Sequence, residues 1–319
     1  MPVKHNFDYK SPIYLFNRDL QTIIPALFRK VSGINYKRER ITTPDLDFLD
    51  LDWSLVNQDK ELVILSHGLE GDSKRSYILG MVRALNRANK NVIAWNYRGC
   101  SGEINQNYKF YHSGFTPDLE LVIEHCVKKG YSKINLIGFS VGGNIILKYL
   151  GETGVKNNVI QKAVVFSVPC HLQSTSDQLA RFRSKIYMRR FIKSLSKKIR
   201  AKALKMPDKY DCTPLGGIKN FAEFDNIYTA PMHGYKDAIE YWTSNSSLYF
   251  IQHIRIPTLI VMAKNDPFLS PECFPYQEAA NNPLVLLEVT QTGGHCGFYA
   301  PNPDGTYWSE HKALEFLYQ

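Results

Sequence analysis

The sequence has no apolar run that approaches the roughly 18 to 20 residues a helix needs to cross a bilayer. Its first eight residues, 1–8, also lack the continuous apolar stretch of a signal peptide. We therefore expect neither a transmembrane helix nor export by the secretory route. These absences predict a cytoplasmic protein, with peripheral attachment to a membrane left open.

Cysteine is scarce, and no CxxC pair or cluster of cysteine and histidine has the spacing of a metal site. A chain of 319 residues can bury a substantial core without disulfides. The thiols are therefore expected to be reduced, and neither a metal nor a cofactor is predicted. The six cysteines are scattered singly, at Cys100, Cys126, Cys170, Cys212, Cys273 and Cys296.

Acidic residues are absent from one segment, 181–205, which holds eleven lysines and arginines. The net charge of the chain is +9, and the rest of the chain carries 28 basic against 30 acidic residues. The whole basic excess therefore lies in this segment. Apolar residues recur through it at roughly helical spacing, at Phe182, Ile186, Ile192, Leu195 and Ile199.

Three interpretations of segment 181–205 remain open. A helix could place its apolar side on the protein core and its charges in water. A basic amphipathic helix could instead touch an anionic lipid surface and bring the active site to that interface. A basic patch is also typical of nucleic-acid binding, which is the least favoured of the three.

Short apolar, β-branched runs alternate with amphipathic helical patterns along most of the chain. Because these runs are almost entirely apolar, they predict strands covered on both faces, as in a parallel sheet. Strand and helix in alternation predict a doubly wound α/β fold. The predicted core strands are 62–65, 91–95, 133–138, 162–167, 258–263 and 284–289, with two more strands within 34–55. Helices are predicted at 20–28 and 73–88. Three more are predicted: one that begins at residue 116, one that follows Ser140, and one near the C-terminus.

No strand is predicted from about 171 to 249, where basic and aromatic helical patterns replace the alternation. We expect this interval to be a helical cap inserted between core strands. The predicted organisation is a first core part at 1–170, a basic helical cap at 171–249 and a second core part at 250–319.

The pentapeptide Gly138-Phe139-Ser140-Val141-Gly142 has the G-x-S-x-G pattern of a nucleophilic serine. A serine hydroxyl is a weak nucleophile at neutral pH, so it needs a base, and it must project clear of the sheet. In this pattern the strand turns sharply into a helix, and the two glycines leave room for a strained serine. Because an apolar strand precedes it and an amphipathic helix follows, Ser140 is the predicted nucleophile.

The base is expected later in the chain than the serine, with the acid between them. His295 lies in a loop just past the last predicted strand, at the same sheet edge as Ser140, and is the predicted base. His253 precedes a strand, at the opposite edge, and His311 sits within the last helix. Structural roles are expected for these two histidines.

The predicted acid is Asp266, which directly follows the strand 258–263. A carboxylate there would fix the tautomer of the histidine and stabilise its protonated form. Asp266-Pro267 is also a common turn former, and the two interpretations are compatible. Asp225 and Asp237 lie in the predicted cap and are weaker candidates.

A tetrahedral intermediate carries an oxyanion that needs hydrogen-bond donors aimed at it. We assign one donor to the backbone N–H of Val141, at the start of the helix after Ser140. The second is assigned to the backbone N–H of Leu69, in the turn His67-Gly68-Leu69-Glu70-Gly71 that follows the strand 62–65.

Four more motifs stand out: Asp19-Leu20-Gln21-Thr22-Ile23, Asn96-Tyr97-Arg98-Gly99, Asn265-Asp266-Pro267-Phe268 and Gly293-Gly294-His295-Cys296-Gly297-Phe298. With the two motifs above, they make the chain resemble the YheT-like branch of the α/β-hydrolases, from near the N-terminus to the last helix. This branch includes bacterial esterase-like proteins, plant embryogenesis-associated proteins and animal lipid hydrolases of the ABHD type.

The resemblance implies the α/β-hydrolase fold, a triad of Ser140, Asp266 and His295, and hydrolysis of carboxylic esters, often of lipids or short acyl chains. It does not name a substrate. An acyltransferase that uses the same triad with an alcohol acceptor is the near alternative. A non-catalytic binding protein of the same fold is less favoured, because all three residue types are present in the expected order.

Overall fold

The computed structural model describes residues 2–6, 9–154 and 158–319, and within them nine strands pair into one sheet. The sheet order is β1-β9-β8-β7-β6-β4-β5-β3-β2. The strands are β1 (Val3–Asn6), β2 (Lys37–Thr42), β3 (Phe48–Ser54), β4 (Glu61–Ser66), β5 (Asn91–Asn96), β6 (Lys133–Phe139), β7 (Ile160–Phe166), β8 (Thr258–Ala263) and β9 (Val285–Thr290).

The sheet is mostly parallel, as the apolar runs predict. The first seven strands of the sheet order, from β1 to β5, run parallel to one another. Strand β3 is antiparallel to β5, and β2 is antiparallel to β3. Strands β4 to β9 match the six predicted core strands to within two residues at each end. The edge strand β1 was not predicted from the sequence, because its short polar segment carries no apolar run.

Eleven α-helices are formed by the described residues and connect or flank the strands. They are α1 (Arg18–Phe28), α2 (Ser76–Arg87), α3 (Thr116–Lys128), α4 (Val141–Thr153), α5 (Leu172–Ala180), α6 (Lys185–Lys205), α7 (Phe221–Phe224), α8 (Ala230–His233), α9 (Ala238–Asn245), α10 (Tyr276–Ala280) and α11 (Trp308–Tyr318). In the part of the chain that the structure describes, no helix combines the length and the apolar character needed to cross a membrane.

Both faces of the sheet are covered, which explains why its strands are apolar throughout. In β4, Leu62 and Ile64 pack into one core with α3 and α4, whereas Val63 and Leu65 pack into a second core with α2 and α11. All four side chains are completely buried. The predicted doubly wound α/β fold is therefore confirmed.

Four loops that carry predicted site residues leave the sheet at one edge, the carboxyl ends of parallel strands. The turn with Leu69 follows β4, and Ser140 follows β6. Asp266 follows β8, and His295 follows β9. In open α/β sheets this edge is where ligands bind, because the helix starts and loops converge there.

Residues 171–249, which we name the cap segment, lie between β7 and β8 and contain α5 to α9 without a strand. Its longest helix, α6, buries Ile192 and Ile199. Phe182 and Ile186 are instead 82% and 67% exposed. The interpretation that the apolar residues of 181–205 all pack on the protein core is therefore wrong for these two. Phe182 precedes α6, in a separate 3₁₀ turn, and Ile186 lies in the first turn of α6. The outer limits of the cap stay a prediction.

Candidate active site

Ser140 occupies the turn where β6 passes directly into α4. Its backbone has φ 53° and ψ −122°, a conformation that residues other than glycine rarely adopt. The N–H of Ser140 donates to the carbonyl oxygen of Phe166 in β7 at 2.8 Å, and its own carbonyl accepts from the N–H of Gly143 at 2.9 Å. These bonds hold the strained strand-to-helix turn that the pentapeptide predicts.

Two glycines allow this turn because the backbone passes too close for a side chain. A Cβ added at Gly142 would lie 2.3 Å from the carbonyl oxygen of Ser66, at the end of β4. A Cβ added at Gly138 would lie 2.7 Å from the carbonyl oxygen of Gly142. Any larger residue at either position would push α4 away from the sheet, and Ser140 with it.

His295 and Asp266 are brought together by the fold. Nδ1 of His295 lies 2.8 Å from Oδ2 of Asp266. Asp266 is buried, and its Oδ1 accepts a hydrogen bond from the N–H of Phe268 at 2.8 Å. Because Nδ1 faces the carboxylate, it carries the ring proton of the neutral imidazole, and Nε2 is left as the basic nitrogen.

The surroundings of His295 favour its protonated form. Burial of the imidazole, the largest single effect, lowers its pKa. The charge and hydrogen bond of the Asp266 carboxylate, together with the neighbouring Cys296 thiol, outweigh burial and raise the pKa above its ordinary value. The ring of Phe268 stacks on that of His295, with centroids 4.0 Å apart and an angle of 25° between the planes. The ring is thus held in orientation from its edge and from its face.

The turn after β4 presents one unpaired backbone donor between two paired ones. The N–H of Gly68 donates to the hydroxyl of Tyr77 at 2.9 Å, and the N–H of Glu70 donates to the hydroxyl of Tyr111 at 2.8 Å. Between them, the N–H of Leu69 has no acceptor among the described residues. The two tyrosines therefore hold the turn without using the donor predicted for the oxyanion.

The N–H of Val141 opens α4 and is likewise without an acceptor in the described part of the chain. The turn and the helix start are close, since a Cβ added at Gly68 would lie 3.3 Å from the Cβ of Ser140. Two unpaired N–H groups, those of Leu69 and Val141, therefore lie next to Ser140.

His67 supports this turn and is buried and neutral. Burial lowers its pKa to about 3. Its Nε2 accepts from the N–H of Tyr97 at 3.2 Å, so its Nδ1 carries the proton and donates to the carbonyl oxygen of Gly68 at 2.8 Å. The histidine of the sequence motif therefore shapes the backbone of the turn.

The cap segment is bonded to the same turn through Glu70. The carboxylate of Glu70 accepts from Ser194 at 2.6 Å and from Lys198 at 2.7 Å, both on α6, and from the hydroxyl of Tyr111 at 2.9 Å. The side chains of Glu70 and Lys198 are only 6% and 14% exposed. Lys198, although it belongs to the basic segment 181–205, thus faces inward and holds the cap segment to the loop of Leu69.

Two cavities meet at Ser140 and His295. The outer cavity, of about 190 Å³, lies between α1, the turn after β4 and α6. The inner cavity, of about 90 Å³, lies under the cap segment. The walls of the inner cavity are mainly apolar and include Leu172, Leu179, Leu195, Phe221, Phe224 and Trp242. Ser140, His295 and Leu69 line both cavities.

The other candidates are occupied elsewhere or lie far from these cavities. His253 and His311 are exposed and line neither of them. Asp225 lines the inner cavity, but its oxygens accept from Thr229 at 2.6 Å and Trp242 at 2.9 Å. Asp237 caps the start of α9. Among the described residues no group of histidine, cysteine and acidic side chains has the geometry of a metal site, and all six cysteines are free thiols.

Sequence patterns assigned no role to four side chains that hold the loops of the site: Gln21, Thr22, Asn265 and Phe268. All four lie within motifs that the resemblance had marked, so the signal was present without a role attached to it. The contacts of Gln21 and Thr22 with these loops connect residues more than 240 positions apart, and local patterns carry no information about such pairs.

Known proteins match this chain over most of its length. The family model of the α/β hydrolase fold matches residues 61–300. YheT of Escherichia coli (strain K12) is 33% identical over 88% of this chain and 84% of that protein. Phospholipase ABHD3 of Mus musculus is 29% identical, over 91% of this chain and 73% of that protein. The solved structure of the esterase Pf2001 of Pyrococcus furiosus shares the fold, with a TM-score of 0.59, 19% identity, and coverage of 91% of this chain and 94% of that one.

The match to the family model spans well over half of the chain, and the sheet order and the strand-to-helix turn at Ser140 agree with it. The chain therefore belongs to the α/β hydrolase fold family, in the branch that contains YheT, and is an α/β hydrolase of the esterase and lipase type.

Proposed function

We propose that this chain is a serine esterase that cleaves carboxylic esters, with short acyl or lipid-like groups, through an acyl-enzyme on Ser140. In this proposal His295 is the general base and Asp266 is the acid that orients it. The backbone N–H groups of Leu69 and Val141 stabilise the oxyanion.

The reaction follows from these roles. Oγ of Ser140 attacks the ester carbonyl carbon while its proton passes to Nε2 of His295. The tetrahedral intermediate collapses, the alcohol leaves with the proton from His295, and the acyl group stays on Ser140. Water then gives a proton to His295 and attacks the acyl carbon. The carboxylic acid departs, and the proton returns from His295 to Ser140.

One observation supports this proposal above all others. His295, whose ring is hydrogen-bonded to the buried Asp266, lines the same two cavities as Ser140 and Leu69, the residue with the unpaired N–H. A nucleophile, an oriented base and an oxyanion donor are the minimum set for acyl transfer. The names of the relatives, among them a phospholipase, are consistent with an ester substrate.

The two cavities suggest where the acyl part and the alcohol part of such an ester bind. The inner cavity has apolar walls, which suit an acyl chain. The outer cavity includes Arg75, Arg190 and Glu70, which suit the more polar alcohol part. The inner cavity, at about 90 Å³, is also the smaller of the two, since the outer one has about 190 Å³. This size favours short acyl chains over long ones.

A fluorophosphonate probe, which reacts covalently with activated serines, tests the proposal. The wild-type chain should be labelled and should hydrolyse p-nitrophenyl butyrate. Ser140→Ala should abolish labelling and lower kcat by at least about 10⁴-fold, because no other group can carry the acyl intermediate. Ser132→Ala, which changes an exposed serine ahead of the same strand, is the matched control.

Absence of labelling in both the wild type and Ser140→Ala would leave a binding protein of the same fold. Added ethanol separates hydrolysis from acyl transfer in the same assay. An esterase should release mainly the free acid, whereas an acyltransferase would release mainly the ethyl ester.

The surface around the outer cavity supports contact with an anionic membrane through segment 181–205. Seven basic residues and no acid line an open groove on the outer side of α6: Lys185, Arg189, Arg190, Lys193, Lys197, Arg200 and Lys219. Cationic side chains arranged in this way complement anionic lipid headgroups.

Exposed apolar side chains lie at the start of α6 and on α1. Phe182 lies just before α6 and Ile186 lies in its first turn, and both are exposed. On α1, Leu27 and Phe28 are 60% and 71% exposed. The two helices are linked by the hydrogen bond from Tyr187 to Asp19 at 2.8 Å, and both line the outer cavity. We infer that this face meets the lipid and turns the mouth of the outer cavity toward it.

A further inference from the structure

Helix α1 contacts the loops that carry the base and the acid, although it lies about 270 residues before His295. Gln21 and Thr22 of α1 are buried, at 3% and 7% exposure. Buried polar side chains on a short helix near the N-terminus need partners, because an unpaired buried polar group is costly. The roles proposed for Ser140, Asp266 and His295 leave these two residues unexplained.

Three consecutive N–H groups of the loop after β9 are held by side-chain acceptors. The N–H of Gly293 donates to Oε1 of Gln21 at 2.9 Å. The N–H of Gly294 donates to Oδ1 of Asn265 at 3.1 Å. The N–H of His295 itself donates to Oγ1 of Thr22 at 2.9 Å. The backbone of the histidine loop is therefore bonded to α1 at two of these three positions.

The acid loop is included in the same network. Nδ2 of Asn265, the residue before Asp266, donates to Oε1 of Gln21 at 2.8 Å. Gln21 in turn is fixed by its own donation from Nε2 to the carbonyl oxygen of Leu15 at 2.7 Å. One carboxamide oxygen of α1 thus accepts from both loops, next to Asp266 on one side and close to His295 on the other.

The histidine loop lies directly on α1. A Cβ added at Gly294 would lie 2.7 Å from Oγ1 of Thr22, and one added at Gly297 would lie 2.2 Å from the carbonyl oxygen of Gln21. Gly294 and Cys296 have φ of +61° and +56°, so this stretch is neither helix nor strand. Without a ladder of its own, the loop depends on outside acceptors for its backbone.

We propose that Gln21 and Thr22 are positioning residues, which hold the pair of His295 and Asp266 in the geometry that deprotonates Ser140. This inference rests on the proposed esterase function. It gives the segment Asp19-Leu20-Gln21-Thr22-Ile23 a role: α1 fixes the base and the acid relative to each other by bonding to the backbone beside each.

The test compares Thr22→Val with Thr22→Ser. Valine keeps the shape of threonine but cannot accept the N–H of His295, whereas serine can. Thr22→Val should lower kcat for p-nitrophenyl butyrate by about 10- to 100-fold with KM little changed, because a small displacement of a catalytic group is costly. It should also slow fluorophosphonate labelling in the same proportion. Thr22→Ser should stay within about 3-fold of the wild type.

Thr153→Val is the matched control. Thr22 and Thr153 both donate a hydrogen bond to the carbonyl oxygen four residues earlier in their helix, at 2.7 and 2.8 Å. Only Thr22 also accepts from the histidine loop. The acid limb of the kcat/KM profile should move to lower pH in Thr22→Val, since a loosened loop weakens the contact of His295 with Asp266. A purely structural role would lower the melting temperature without moving this limb.

Asn265→Ala gives a second variant that leaves α1 unchanged, and its kcat should fall as well. If Thr22→Val and Asn265→Ala both match the wild type in kcat, labelling rate and pH profile, the positioning role is overturned. Failure of the wild type to be labelled would instead remove the proposed function itself.

Discussion

At the residue scale, the proposed chemistry depends on which carboxylate faces His295. The Asp266 carboxylate raises the pKa of His295 against the effect of burial, and the base works only when it is unprotonated. Asp266→Asn should therefore shift the acid limb of the kcat/KM profile to lower pH, because the carboxylate charge no longer favours the protonated ring. It should also lower kcat by roughly 10³- to 10⁴-fold, since an amide can hold the wrong tautomer. The measurement is ester hydrolysis between pH 5 and 10.

The other two candidate acids provide the controls for Asp266. Asp225→Asn changes a buried residue of the inner cavity. Asp237→Asn changes the residue whose side chain accepts a backbone hydrogen bond at the N-terminus of α9. Neither should move the acid limb of the profile. A shift with Asp225→Asn and none with Asp266→Asn would assign the orienting role to Asp225 and contradict the proposed triad.

At the scale of elements, α6 does more than cover the sheet edge, because Lys198 and Ser194 bond to Glu70 in the turn of Leu69. Lys198→Met should leave the largely buried Glu70 carboxylate without its cation and destabilise the fold by about 3 kcal/mol. It should also lower kcat about 10-fold, since the turn that presents the Leu69 donor loses a support. Lys197→Met, one position away and exposed, is the matched control and should change neither quantity.

The double variant Glu70→Gln with Lys198→Met removes both charges of this pair. Thermal unfolding should show recovery of most of the lost stability, because no unpaired buried charge remains. Equal melting temperatures and equal kcat for Lys198→Met and Lys197→Met would show that α6 does not support the turn.

At the scale of the whole molecule, the basic excess is gathered at one side of the active-site entrance. The triple variant Arg189→Gln, Lys193→Gln and Lys197→Gln should weaken sedimentation with phosphatidylserine-containing vesicles, by about 1 kcal/mol for each charge removed. Binding to phosphatidylcholine alone should be weak throughout, and high salt should reduce binding to the anionic vesicles. The control removes three lysines at the opposite edge of the sheet: Lys60, Lys128 and Lys133.

Equal binding of the two triple variants to anionic vesicles would contradict a docking face on α6. Binding to both vesicle types without dependence on charge would do the same. Salt-sensitive binding to double-stranded DNA, with none to vesicles, would instead support the nucleic-acid interpretation of segment 181–205.

Much of this protein follows from local patterns in its sequence. Uniformly apolar runs predicted β4 to β9, because a strand buried on both faces has no polar side. The pentapeptide around Ser140 predicted the strained turn, because only glycine fits where the backbone of α4 passes Ser66. The order of serine, acid and base along the chain was likewise visible before any contact was known.

Other features were decided only by the tertiary structure. Lys197 and Lys198 are adjacent and chemically identical, yet one is exposed and the other bonds to Glu70, because the packing of α6 on the turn selects which side faces inward. Gln21 and Thr22 meet the loop of His295 because α1 lies on that loop. Sequence patterns report what each segment needs to bury, whereas the partner of a buried polar group depends on which segments the fold brings together.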